Sequence, residues 1–192
     1  MRPLYFYFCP FLVFLALPLS AGAQDTVEVV PPPRSGSLAR SPLALAITWI
    51  DSTYVKIVYS SPRKRGREIF GALVPYGEVW RTGANEATEI TTTGDLIFGG
   101  HHLPAGTYSL YTIPYPDHWT IIINRGLGQW GTFDYDPKLD LFRFDVPTRQ
   151  TDKRYEGFTI SFEKEKDQTY LYLRWDRTEV RIPVAAASEQ TD

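Results

Sequence analysis

Along the last third of the chain, apolar and polar residues alternate with a period of two. Phe142, Phe144 and Val146 share one phase, with Arg143 and Asp145 in the other. Phe158, Ile160 and Phe162 oppose Thr159, Ser161 and Glu163, and Leu171, Leu173 and Trp175 oppose Tyr170, Tyr172 and Arg174. Successive side chains of a strand point to opposite faces. The pattern therefore describes strands with one buried and one wet face, the habit of antiparallel sheets. The earlier segments are also short and β-like. Ala44 to Ile50 and Thr53 to Ser60 flank Asp51-Ser52, a two-residue hairpin candidate, while Ala87 to Thr93 and Leu96 to Phe98 flank Gly94-Asp95. Thr107 to Ile113 follows Pro104-Ala-Gly106, and Trp119 to Asn124 follows Pro114-Tyr-Pro-Asp117. Turn signals recurring about every 8–12 residues predict an all-β domain. The expectation is a single antiparallel β-sandwich, a jelly roll being one form of it, with one long irregular loop. No apolar stripe of helical period is sustained, so at most a short helix is expected, around Glu68 to Leu73.

The ends bound the domain. Arg2 precedes an apolar run from Leu4 to Leu17, then Pro18 and the small residues Ser20-Ala-Gly-Ala23. This is the layout of a signal peptide cut before Gln24, and the run is shorter than the roughly 20 residues that span a bilayer. Residues 24–41, with Pro31-Pro-Pro33 and Ser35-Gly-Ser37, read as a flexible linker, residues 42–185 as the sandwich, and 186–192 as a disordered tail. The reading is of an exported protein, periplasmic or extracellular, with no membrane association in the mature form. Cys9, the only cysteine, would leave with the signal peptide, so a mature chain can have no disulfide, thiolate nucleophile or thiolate metal site. Removing Arg2 leaves 20 − 1 = 19 basic side chains against 22 acidic ones, a net charge of −3. That balance gives no reason to expect a nucleic acid partner.

One segment breaks the strand rhythm. Pro62 to Thr93 mixes glycines, prolines and charges with no period, and ordering so long a loop needs specific contacts to offset its entropy. Arg63-Lys64-Arg65 with Arg67 is a dense basic stretch. It is either a solvated loop or a site for a carboxylate, sulfate or phosphate, with Arg67 or Arg81 as the planar fork. Trp80 and Trp130 lie in Gly-rich stretches, where they either plug the ends of the sandwich or offer stacking platforms. Gly77, Gly83 and Gly131 permit turns that would bring Arg67, Glu78, Trp80, Arg81 and Asn85 beside Gln129, Trp130, Asp134 and Tyr135. In that arrangement Arg81 is expected to clamp Glu78 or Asp134.

The motifs of these loops carry a resemblance. Ser61-Pro62, Gly66-Arg67, Ile69-Phe-Gly71, Leu73-Val-Pro-Tyr-Gly77, Val79-Trp-Arg-Thr-Gly-Ala-Asn85, Leu103-Pro-Ala-Gly-Thr-Tyr108, Gln129-Trp-Gly131 and Asp134-Tyr-Asp136 follow one another in order. From about Ser41 to Val184 the chain resembles the bacterial domain-of-unknown-function family 2911. The resemblance implies a secreted or periplasmic β-rich domain and assigns no catalytic residue.

Two functions are open. The first is a non-catalytic binding or structural domain, whose partner is a small molecule, a glycan or a protein met at the polar-aromatic loop surface. The second is a carbohydrate-active or other hydrolase using two of Glu68, Glu78, Glu86, Glu89, Asp134 and Asp136. No cofactor or metal is called for: adjacent strand residues such as His101 and His102 diverge, and only His118 could add a third imidazole. If the reading of the N-terminus holds, the intact mass of exported protein will lack residues 1–23; a retained N-terminus or a lipid adduct contradicts it.

Overall fold

A computed structural model describes residues 40–187. The signal peptide expected at 1–23, the linker up to residue 39 and residues 188–192 of the expected tail lie outside the described residues. The strands are β1 (Leu43–Ile50), β2 (Thr53–Ser60), β3 (Thr88–Thr92), β4 (Leu96–Phe98), β5 (His101–Leu103), β6 (Gly106–Pro114), β7 (His118–Asn124), β8 (Asp140–Glu165) and β9 (Gln168–Ala186). They pair antiparallel in the order β1-β2-β3-β6-β7-β8-β9-β4-β5. From β6 to β9, sequence neighbours are also sheet neighbours, a meander rather than the paired Greek keys of a jelly roll.

The 26-residue β8 gives the sheet its layered form. Its first part, from Asp140 to Pro147, pairs with β7, and the rest, from Thr148 to Glu165, pairs with β9. The β8–β9 ladder slips between Gln150 and Tyr155 and again between Tyr155 and Thr159. Such slips bend a strand and increase its twist. The sheet turns over on itself, and β1 comes to lie against β8 and β9 in a sandwich-like all-β fold. The chain crosses between the layers at Gly94-Asp95, so β3 and β4 do not form a hairpin with each other: β3 pairs with β2 and β6, β4 with β5 and β9.

The core lies between the layers. Val55, Ile57, Ile90, Leu110, Ile121, Ile123, Phe158, Ile160, Leu171, Leu173 and Trp175 are all buried. Phe144 and Phe162, of the same expected phase, are partly buried against that cluster. The opposite phase of β9 differs from expectation, because Tyr172 and Arg174 are buried as well. Arg174 donates through Nε to Glu179 at 2.5 Å and through Nη1 to Glu163, and its guanidinium lies 3.8 Å over the Tyr172 ring. A charge so shielded from water needs such partners to offset its lost hydration.

Two local expectations are corrected. Glu68 to Leu73 forms no helix: Val74 N–H donates to Ile69 C=O and Gly71 N–H to Val74 C=O, closing a tight reversal that buries Ile69 and Val74. The helical turn among the described residues is instead a 3₁₀ turn, Pro137–Leu139, capped by the Asp136 carboxylate. At the far end, β9 runs to Ala186 and Ala187 N–H donates to Asp95 C=O, so the ordered sheet continues past residue 185. The β4–β5 turn is set by Gly99 and Gly100, at φ +60° and +86°. A Cβ on Gly99 would also sit 2.2 Å from the Phe144 ring, so this position requires glycine twice over.

Ile160, only 3% exposed, tests the register. Ile160→Ala should cost about 2–5 kcal/mol in denaturant unfolding; a loss below about 0.5 kcal/mol, the scale of surface changes, would put it on the wrong face.

Candidate functional site

The long segment between β2 and β3 is tied to the sheet by backbone and by one indole. Trp80 N–H donates to Thr112 C=O at 2.7 Å and Trp80 C=O accepts from Thr112 N–H at 2.9 Å, adding a short rung to β6. The Trp80 ring enters the core, where it stacks on Trp175 with centroids 5.9 Å apart and meets Trp119, Phe158 and Phe70 edge-on. Its Nε1–H donates to Gly83 C=O at 3.0 Å. Of the two roles open to it, Trp80 takes that of the plug. Trp130 does not: it is 56% exposed.

Directly after that plug the chain lines a cavity of about 460 Å³. Among the described residues five arginines border it, Arg40, Arg63, Arg65, Arg67 and Arg81, and no acidic side chain does. Leu73, Val74, Trp80 and Trp175 supply apolar wall. The basic stretch is fastened from below. Lys64 Nζ reaches Asp176 at 2.8 Å and Arg67 C=O at 2.6 Å, and Arg65 N–H donates to Glu156 Oε1 at 2.8 Å. Arg67 folds back on its own loop, donating to Lys64 C=O at 3.0 Å and Arg63 C=O at 2.6 Å. Carbonyls satisfy these donors without neutralising the charge.

Arg81 is the exception within this cluster. Its Nε is buried and has no hydrogen-bond acceptor among the described residues, and burial lowers its pKa. A guanidinium stays charged even so. The expected clamp onto Glu78 or Asp134 is not formed; both carboxylates are exposed and neither bonds Arg81. They follow turns that carry them outward, whereas Arg81 follows the buried Trp80. The adjoining Thr82 has φ +55°, an outlier for a β-branched residue, held by Thr82 Oγ1–Thr112 Oγ1 at 3.1 Å and by Thr88 Oγ1 donating to Thr82 C=O at 2.7 Å. Strain of this kind persists where the surroundings over-determine it, and it gathers at binding sites.

The second loop meets the first. Ala87 N–H donates to Gln129 C=O at 2.9 Å, Gly131 N–H donates to Asn85 C=O at 3.0 Å, and Glu86 bridges to Trp130. Gly131, at φ +68°, lies beside Arg81: a Cβ there would meet Nη1 at 3.7 Å, an ordinary contact, so its backbone angle rather than space favours glycine. The proposed residues thus divide into groups. Arg67, Trp80 and Arg81 share the basic cavity, and Asn85, Gln129 and Trp130 form the seam beside it. Tyr135 serves elsewhere, donating to Asp140 at 2.9 Å and accepting from Arg143. Glu78 and Asp134 stay in solvent. Glu86 and Glu89 line a second cavity of about 250 Å³, where Glu89 accepts from Gly128 N–H at 2.9 Å. His101 stacks on Phe142 and Phe144, while His102 approaches Asp95 at 2.8 Å. By sequence Arg40 falls in the linker, Trp175 in the core pattern and Leu73 in the expected helix. Their convergence is long-range and leaves no local sequence signal.

Tyr111 reports on this seam. Its hydroxyl donates to Gln129 Oε1 at 3.2 Å, and burial, with Asp134 and Glu89 nearby, pushes its pKa up to about 12. A phenol raised above its unfolded value of 10.0 adds stability that is present below pH 10 and is lost as pH climbs towards 12. Asp134→Asn should bring the Tyr111 phenolate titration to lower pH, followed by ultraviolet absorbance; an unchanged curve would remove Asp134 from its surroundings.

A search of curated proteins and a search of solved structures each return no match. Residues 41–184 match the family described as Protein of unknown function (DUF2911), which spans almost the whole described domain, and the chain belongs to that family.

Proposed function

We propose that this chain is an exported, non-catalytic binding domain whose basic cavity receives an anionic group. The supporting observation is Arg81: a buried guanidinium N–H with no acceptor among the described residues, in a cavity that these residues border with five arginines and no acid. Leaving such a donor unpaired costs about 1–3 kcal/mol, more for a charged group. Because Nε itself is shielded from solvent, a small turn of the Arg81 side chain would bring Nε and an adjacent Nη to an oxyanion in the cavity, in the bidentate geometry that favours arginine over lysine. A carboxylate, sulfate or phosphate borne by a small molecule, glycan or protein fits this chemistry. Export is supported by the signal-peptide pattern of residues 1–23. The hydrolase alternative has less behind it, since none of Glu68, Glu78, Glu86, Glu89, Asp134 and Asp136 borders the basic cavity.

Calorimetric titration with inorganic phosphate, sulfate and acetate tests the reading. At least one should bind, and Arg81→Gln should weaken it about tenfold or more, the scale of one charged hydrogen bond. The melting temperature should hold or rise, because the variant no longer buries an unpaired charge. Arg63→Gln, at an exposed position, should weaken binding less. Equal affinity for wild type and Arg81→Gln, or no binding of any of the three, overturns it.

A further inference from the structure

We infer that the ligand of this cavity is an anionic amphiphile, an oxyanion carried on an apolar body the size of a short acyl chain or a single ring. The inference rests on the anion-binding reading above and adds the ligand class. Size is the first argument. A cavity of about 460 Å³ lies within the roughly 300–1,000 Å³ of small-molecule pockets and leaves most of its space unfilled by an inorganic anion.

The walls are the second argument. Arginine is not the whole lining: Leu73, Val74, Trp80 and Trp175 contribute apolar surface, with Pro62 and Ala84 beside them. Of these, Leu73 is exposed, whereas Val74, Trp80 and Trp175 are buried and show the cavity only a small part of each side chain. A ligand made only of charge would leave that apolar wall wet, and one without charge would leave Arg81 Nε unpaired. Leu73 is the third argument. This side chain, 42% exposed, is held at the cavity by the Ile69–Val74 reversal, whose two ends are anchored in the core. The reversal thus presents an isobutyl group to the cavity, where an apolar body removes it from water.

The probes are n-octyl phosphate below its micelle concentration, inorganic phosphate and n-octanol, each titrated calorimetrically into the wild-type domain. Octyl phosphate should bind at least about tenfold tighter than phosphate, the gain expected from burying two or three methylenes. Octanol should bind more weakly than octyl phosphate. Leu73→Ser should erase most of the gain from the chain, lowering octyl phosphate affinity several-fold more than phosphate affinity, and Arg81→Gln should weaken both phosphates. If phosphate binds and octyl phosphate is no tighter, the amphiphile inference fails while the anion reading stands. If octanol matches octyl phosphate, or if none of the probes binds, the amphiphile inference fails, and the anion reading then stands or falls on the titrations with phosphate, sulfate and acetate.

Discussion

The insertion of Trp80 into the core is the contact on which the rest of the architecture around the cavity depends. Its ring touches residues from both layers, Trp119 on β7 and Trp175 on β9, along with Phe158 on β8 and Phe70 from its own loop. Edge-on and offset aromatic pairs add about 0.5–1.5 kcal/mol each beyond the area they bury. Truncating such a residue costs about 3–5 kcal/mol, a large part of a domain's marginal stability. That energy orders a loop with little regular structure, and it fixes the direction in which the next residue leaves the core. Arg81 is therefore positioned by the packing of its neighbour.

Electrostatics follows from the same arrangement. Two acids near the basic stretch fasten it: Asp176 holds Lys64 and Glu156 holds the Arg65 N–H. Arg67 is satisfied by carbonyls, which hold the guanidinium in place and leave its charge uncompensated. Positive charge thus accumulates on one wall next to apolar surface, with Arg81 Nε left as a donor in search of an acceptor. Preorganised donors of this kind bind anions without paying the ordering entropy at the moment of binding.

The antiparallel sheet was legible wherever one face is apolar and the other polar, as in Phe158-Thr-Ile160 and Leu171-Tyr-Leu173. In β1 both phases are apolar, so the buried one could not be read. The structure turns Ala44, Ala46 and Ile50 inward, where β1 lies against β8 and β9, and leaves Leu43, Leu45, Ile47 and Trp49 exposed. Arg174 looked like a wet-face residue because its partners, Glu163 and Glu179, come from register and from a bulged ladder that local pattern does not encode. The basic loop and Arg81 were visible as candidates from residue type. Missing from the sequence were the absence of an acid beside Arg81 and the arrival of Arg40, Leu73 and Trp175 at the same cavity, since these depend on how distant segments cross.

Arginine side-chain nuclear magnetic resonance tests the central claim most directly, because it watches the Nε–H that the account singles out. In ¹⁵N–¹H spectra of the domain, the Arg81 Nε–H signal, assigned by its loss in Arg81→Gln, should move on titration with phosphate. It should saturate together with the backbone amides of Thr82 and Gly131, while Arg143 and Arg174, already paired with acids, stay still. An Arg81 signal that stays fixed while phosphate shifts only the exposed arginines would contradict the account.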